Sequence, residues 1–293
     1  YFETKQVLQS GLDQPTNRDA WVNDAKSSVL KILHQHSIDK KQAIKVWGDV
    51  DDQFFLRERA EDIAFFTKGI IDGVDNQPII QIRDVGVEIP VATQIFLHTK
   101  STKNLFAMIA AVLDRLGLSI QDARLQTTSD NRTFDVFYVL DDKDLPVGNN
   151  KKLCKNIIDN LTAAIKSPEK INLNVSRRTS RQLKNFTMKT KVTLRNDSET
   201  DTSVFQVITP DRPGLLAHIA NIFSRFDLVL YNAKISTLGE RVEDTFYLMT
   251  QNNQPIDDEA LGEKSKQTIR NELDSRIKES EQEPNFQSIK IGR

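Results

Sequence analysis

The stretch ITPDRPGLLAHIANIF, from Ile208 to Phe223, places a charge pair, a proline and a glycine where a strand-like run meets an amphipathic helical one. A helix start presents backbone N–H groups that lack intrahelical partners, and its dipole favours negative charge there. In Asp211-Arg212-Pro213-Gly214, Pro213 presets φ for the first helical turn while giving up one donor. Gly214 lets a ligand approach the backbone closely, just before Leu215. The pattern is that of a small-molecule site. The alternative is a plain turn, with Asp211 capping the helix and Gly214 easing the bend. Either way, the helix start is expected to tolerate a side chain at 214 without loss of the fold.

Around this loop lies a chain of 293 residues, 38% hydrophobic and 28% charged, the composition of a globular protein with room for two or three domains. The net charge of −1 argues against nucleic acid as a partner. One cysteine, Cys154, excludes an internal disulfide and fits a reducing compartment, so a cytoplasmic location is expected. No apolar run approaches the roughly 18 residues of a membrane span, and no signal-peptide pattern is present. The chain begins at Tyr1 rather than Met, which suits a fragment of a longer protein.

Residues 1–74 read as helical. Trp21, Val22, Ala25, Val29, Leu30 and Ile32 recur at roughly helical spacing, with Thr16 or Asn17 as cap after Pro15. A second helix is expected over Ala60–Ile71. The turn formers of Asp72–Pro78 mark a boundary, followed by strand-like runs at Pro78–Ile82 and Thr93–Thr99. From there the chain repeats itself. NLFAMIAAVLDRLGLSIQDARLQTT (Asn104–Thr128) aligns with GLLAHIANIFSRFDLVLYNAKISTL (Gly214–Leu238) at a constant offset of 110, as 215 − 105 shows. Leu105/Leu215, Ala107/Ala217, Ile109/Ile219, Arg115/Arg225, Leu118/Leu228 and Ala123/Ala233 are among the identities, and beyond a one-residue gap Asp135 and Phe137 match Asp244 and Phe246.

Each copy is expected to run strand, helix, strand, strand, helix, strand. The fold class is therefore α+β: two ferredoxin-like βαββαβ units with antiparallel sheets, preceded by a helical segment. Domains are expected at 1–74, 75–195 and 203–293. Phe186–Arg195 is expected to close the first unit and Phe286–Ile291 the second. Helices are expected at Lys103–Leu116, Lys151–Ile165, Pro213–Phe226 and Asp257–Lys278. Gly239–Arg241 reads as a hairpin tip, and Asn174–Asn185, with Arg177, Arg178 and Arg181, as a solvated basic connector. Asp135 and Asp244 either anchor a sheet edge or meet the neighbouring unit.

A βαββαβ unit with D-R-P-G-L-L at its first strand–helix junction resembles the ACT domain, an amino-acid-sensing module. ITPDRPGLLAHIANIF with ISTLGERVEDTFYL resembles more specifically the last ACT domain of the bacterial uridylyltransferase/uridylyl-removing enzymes, which modify the nitrogen-signalling protein PII. YFETKQVLQSGLDQPTNRDAWV (Tyr1–Val22) and VDDQFFLRERAEDIAFFTKGI (Val50–Ile70) resemble the helical segment that follows that family's HD phosphohydrolase domain. The resemblance implies a regulatory C-terminal region that senses glutamine, with PII as target of the parent enzyme. It also implies ACT–ACT pairing within or between chains, and catalytic domains upstream that use Mg²⁺. No catalytic residue and no cofactor is assigned to this chain. A nucleotidyltransferase needs a Gly-Ser loop, which is absent, and Asp49 and Asp51 of GDVDD read as a solvated turn. The HD chemistry needs a His-Asp pair, and none of His34, His36, His98 and His218 precedes an Asp. A stand-alone tandem-ACT sensor is the rival reading. An RNA-binding unit of the same strand order is a further one, opposed by the absence of its aromatic strand motif.

Applied to an amino-acid ligand, the resemblance assigns the carboxylate to the helix start at Pro213–Leu215 and to Arg212, and the ammonium to Asp211. ACT pairs often hold ligand where two units meet, touching the start of the second strand. Those positions are Leu118 and Ser119 in the first copy, Leu228 and Val229 in the second. The first copy replaces the D-R-P-G motif with Ser101-Thr102-Lys103-Asn104, so Ser101, Lys103 and Asn104 are its weaker equivalents.

Overall fold

The computed structural model describes residues 18–48, 50–74, 76–86, 91–173, 188–198, 200–238 and 241–282. The expected caps Thr16 and Asn17, Asp49, the basic connector, the tip Gly239–Glu240 and the strand Phe286–Ile291 lie outside the described residues. The chain divides into two compact units, one of residues 1–82, 95–101 and 125–136, the other of 83–94, 102–124 and 137–293.

The described residues of the first unit begin with the helices α1 (Arg18–Gln35), α2 (Lys40–Trp47), α3 (Asp52–Arg57) and α4 (Ala60–Asp72). Val22, Val29 and Leu33 recur at seven and four residues on α1, which buries them as one stripe. Asp39 starts α2 through a reciprocal capping box with Gln42. Asp51 caps α3 by accepting the Gln53 N–H at 2.7 Å, so this acid of GDVDD serves a helix start. Aromatic rings fill the core of this unit. Phe66 stacks on Phe96 at 4.2 Å between centroids, Phe54 meets Phe134 edge-on at 5.6 Å, and the buried Trp47 Nε1–H donates to Thr67 Oγ1 at 2.9 Å.

The remaining elements are β1 (Ile79–Val85), β2 (Ala92–His98), α5 (Leu105–Arg115), β3 (Ser119–Arg124), β4 (Asp135–Leu140), α6 (Lys151–Lys166), β5 (Lys191–Asp197), β6 (Thr202–Pro210), α7 (Leu215–Arg225), β7 (Val229–Lys234), β8 (Thr237–Leu238), β9 (Arg241–Met249) and α8 (Glu259–Gln282). The strands form one sheet in the order β1-β2-β4-β3-β7-β9-β6-β5, with the short β8 beside β9. The mixed α+β class holds, a helical segment followed by ferredoxin-like units.

Chain order inside each copy departs from the expectation at one strand. Residues 191–197 do not close the first copy. They form β5, which pairs antiparallel with β6 from Lys191↔Ile208 to Asp197↔Thr202. β5 and β6 pair antiparallel across a connection only four residues long, which costs two consecutive strands little loop-closure entropy. The place beside β2 that β5 was expected to fill is taken by β1. Among the described residues each copy thus has its outer strand on its N-terminal side, as β1-β2-α5-β3-β4-α6 and β5-β6-α7-β7-β9-α8.

The repeat is visible in three dimensions. β3 pairs antiparallel with β7 through Asp122↔Lys234, Ala123↔Ala233 and Arg124↔Asn232, which brings the aligned Ala123 and Ala233 opposite each other. Helix α5 packs along α7. Phe223 on α7 meets Phe205 and Phe246 of the sheet at 5.4 and 5.2 Å, both edge-on. Residues 105–113 of α5 are all buried except Phe106, since sheet, α6 and α7 cover the helix on several sides.

Candidate functional site

The two strand–helix junctions share one backbone conformation. Gly214 precedes α7 at φ 73°, ψ 9°, and Asn104 precedes α5 at φ 64°, ψ 15°. Both lie in the left-handed region, which glycine enters freely and asparagine more readily than other residues. The glycine is therefore required by the turn itself. A bulky β-branched side chain at 214 would be strained, contrary to the expectation that the fold tolerates one there. In both copies the first helical N–H is returned to the loop: Leu215 N donates to the Arg212 carbonyl and Leu105 N to the Thr102 carbonyl, each at 3.1 Å.

A cleft of about 490 Å³ opens beside the second junction. Asp211, Arg212, Pro213 and Leu215 line it, together with Leu118 and Ser119 at the start of β3. The loop of one copy and the strand start of the other thus share a cavity. Gly214, Leu228, Val229, Ser101, Lys103 and Asn104 are not among the lining residues. The first-copy loop is arranged differently. Ser101 N–H donates to the Asn131 carbonyl at 2.8 Å, and Lys103 Nζ lies 3.7 Å from Asp227 Oδ1, next to Leu228, as an exposed pair.

Acids dominate the cleft. Asp114, Asp141, Asp142 and Asp244 join Asp211 in the lining, against Arg212 as the one cation there among the described residues. Arg212 is buried and its Nη1 donates to the Asp211 carbonyl at 2.8 Å. Asp244 is 1% exposed; burial and the neighbouring Asp211 push its pKa up to about 7, while the Ser236 N–H it accepts at 3.3 Å pulls the other way. Its counterpart Asp135 accepts the Gln126 N–H at 3.3 Å, and burial pushes it up to about 8. Both acids therefore anchor the strand-to-strand turn of their copy. Asp141 accepts the Lys143 and Leu145 N–H groups at 2.9 Å each, which holds it below the usual carboxylate range.

Asp114, near the C-terminal end of α5, accepts the N–H of Gly214. No local pattern assigns Asp114 a role. The signal was present in the repeat, where Asp114 aligns with Ser224 (224 − 110) inside otherwise matched helices. Asp141 and Asp142, which follow β4, line the cleft as well.

The histidines are placed elsewhere. His34 and His36 are exposed on the first unit, as expected of a surface pair. His98 is buried with Nδ1 2.7 Å from the Thr133 carbonyl oxygen, and burial lowers its pKa. His218 on α7 lies 3.2 Å from Glu272 of α8, and burial and Arg276 push it down to about 4 against the pull of Glu272. Among the described residues no three His, Cys, Asp or Glu side chains converge as metal ligands, and no helix is long and apolar enough to cross a membrane.

A family model described as the fifth domain of the uridylyltransferase GlnD matches residues 17–69, the helical segment. The bifunctional uridylyltransferase/uridylyl-removing enzyme of Stutzerimonas stutzeri is 38% identical over 293 residues, which cover 99% of this chain and 32% of the relative. Those of Pseudomonas syringae pv. tomato and Pseudomonas putida are each 38% identical over 275 residues, 93% of this chain and 31% of the relative. By sequence, the chain corresponds to the C-terminal region of these bifunctional enzymes. It spans about a third of the length of the relatives it matches. The similarity runs through the helical segment and both copies, so the repeated junctions and the cleft belong to the region shared with the uridylyltransferase/uridylyl-removing enzymes.

Proposed function

We propose that this chain is the regulatory region of a bifunctional uridylyltransferase/uridylyl-removing enzyme, that its two copies are paired ACT domains, and that the cleft beside Asp211 takes free glutamine. The observation that carries the reading is the meeting of Asp211, Arg212 and Pro213 from one copy with Leu118 and Ser119 from the other on a single cleft. Asp211 supplies negative charge for the ligand's ammonium, beside the buried Asp244 that burial holds toward its neutral form. Arg212 and the start of α7 supply the complement for its carboxylate.

The parent enzyme's chemistry belongs, in this proposal, to cytoplasmic catalytic domains outside this chain. UMP passes from UTP to a tyrosine of PII when glutamine is low and is removed by hydrolysis when it is high, with Mg²⁺ at those catalytic sites. Glutamine must then prefer one arrangement of the regulatory region, with a coupling of about 1–3 kcal/mol. The chain alone should neither add UMP to PII nor remove it.

Calorimetry tests the reading. Glutamine should bind with a Kd on the order of tens of μM to mM, as suits a small ligand that a sensor must release. Glutamate should bind more weakly, because a site built for an amide leaves groups mispaired against a second carboxylate. No glutamine binding at millimolar concentration would refute the assignment.

A further inference from the structure

The N–H of Gly214 stands at the helix start that should receive a ligand's carboxylate, and a carboxylate is already on it. Asp114 accepts that N–H, from a helix of the other copy. Asp114 itself lines the cleft, as do Pro213 and Leu215 on either side of Gly214. We infer that Asp114 is the chain's own stand-in for the ligand carboxylate, and that an amino acid entering the cleft must displace it from Gly214. The inference rests on the reading of the cleft as an amino-acid site.

Three features support an occupant over a mere cap. First, Asp114 reaches Gly214 across the α5–α7 contact, with a sequence separation of 100 residues, whereas helix caps are normally supplied locally. Second, the device is present at one junction only. The position aligned with Asp114 is Ser224, which has no carboxylate to place on the equivalent Asn104 junction, where Lys103 instead lies near Asp227. Third, the Leu215 N–H is turned back onto the Arg212 carbonyl. Gly214 therefore contributes a donor that the loop does not use itself.

Displacement has a consequence for signalling. Asp114 belongs to the first copy and Gly214 to the second. Ligand that takes the N–H releases a bond between the copies, so binding and the α5–α7 contact become linked in one equilibrium. The empty protein has the contact made; the loaded protein has it broken. Apparent affinity is the intrinsic affinity scaled by the fraction of molecules in which Asp114 has left the site.

The experiment compares wild type with Asp114→Ala and Asp114→Asn by calorimetry, using glutamine and its α-carboxamide as probes. Asp114→Ala should bind glutamine roughly 3–30-fold more tightly than wild type, since the competing occupant is gone. Asp114→Asn, which keeps an acceptor oxygen without the charge, should fall between them. The α-carboxamide lacks the competing carboxylate and should show no comparable gain. A residue that only caps α7 would produce equal or weaker glutamine binding on removal. That result, with wild type still binding glutamine, overturns the inference and leaves the cleft assignment standing. If neither wild type nor either variant binds glutamine, both fall. Should the variants fail to fold, the Gly214 amide proton in wild type is followed by NMR as glutamine is added. A large shift of that resonance supports displacement, and an unmoved resonance at saturation overturns it.

Discussion

The two strand–helix junctions have the same backbone and different chemistry. At 101–104 the residues are Ser, Thr, Lys and Asn; at 211–214 they are Asp, Arg, Pro and Gly. Both loops turn through a left-handed residue and return the first helical N–H to a loop carbonyl. The second lines the acidic cleft and has a carboxylate of the other copy on its backbone N–H, whereas the first meets one, Asp227, only through the exposed Lys103 side chain. The turn is thus a property of the fold, kept by Asn as well as by Gly, while the binding chemistry is carried by the residues placed on it. A D-R-P-G sequence conflates the two, and the repeat separates them.

The largest expected effects concern Asp135 and Asp244, which occupy matching places in the two copies. Burial raises both well above the usual carboxylate range in the folded state, to about 8 and about 7. The native state therefore holds protons that the unfolded chain has released between pH 4 and these values. The stability linked to these groups is fully present at low pH and falls as pH rises through about 7–8. Asp135→Asn and Asp244→Asn cannot ionise. Each should be more stable than wild type above pH 8, by on the order of 1–3 kcal/mol, with the difference shrinking toward pH 5. Urea unfolding across that range checks this; profiles parallel to wild type would show that burial does not govern these acids. A larger response at Asp135 than at Asp244 would sharpen the contrast between the copies.

Next comes the turn. Gly214→Val should cost about 1–3 kcal/mol of stability because a β-branched residue is forced to positive φ, whereas Gly214→Asn should be nearly neutral, as Asn104 already adopts that conformation. Equal losses for the two variants in thermal unfolding would break the structural equivalence of the junctions.

Ligand binding should separate the loops more strongly than folding does. Asp211→Ala should weaken glutamine by about 1–3 kcal/mol if the carboxylate holds the ammonium, with little change from Ser101→Ala at the aligned place. Calorimetry on both variants decides it, and a reversed order would move the site to the first copy. The smallest effect is expected at Lys103 and Asp227, an exposed pair at 3.7 Å. Lys103→Ala should leave stability within the error of an unfolding experiment, because water and salt screen such pairs. A measurable loss would mean that the first junction is held by charge after all.

Sequence by itself determined the repeat, the α+β class, most helix spans and the loop that carries the charge pair. These rest on local patterns: the apolar stripe of Leu215, Ile219 and Ile222 at helical spacing, the identities at a constant offset, and turn formers between them. The tertiary structure decided three things. It gave β5 to the second copy, since pairing with the strand that follows four residues later competes with a distant edge that β1 already fills. It made Gly214 a conformational requirement, which appears only once φ is known. And it brought Asp114, Asp141 and Asp142 to a loop about 70 to 100 residues away, through the β3–β7 pairing and the α5–α7 contact. A period of 3.6 or 2 tells which side of an element an acid occupies. What that side faces depends on the register of strands far apart in the chain, and no local pattern encodes that register.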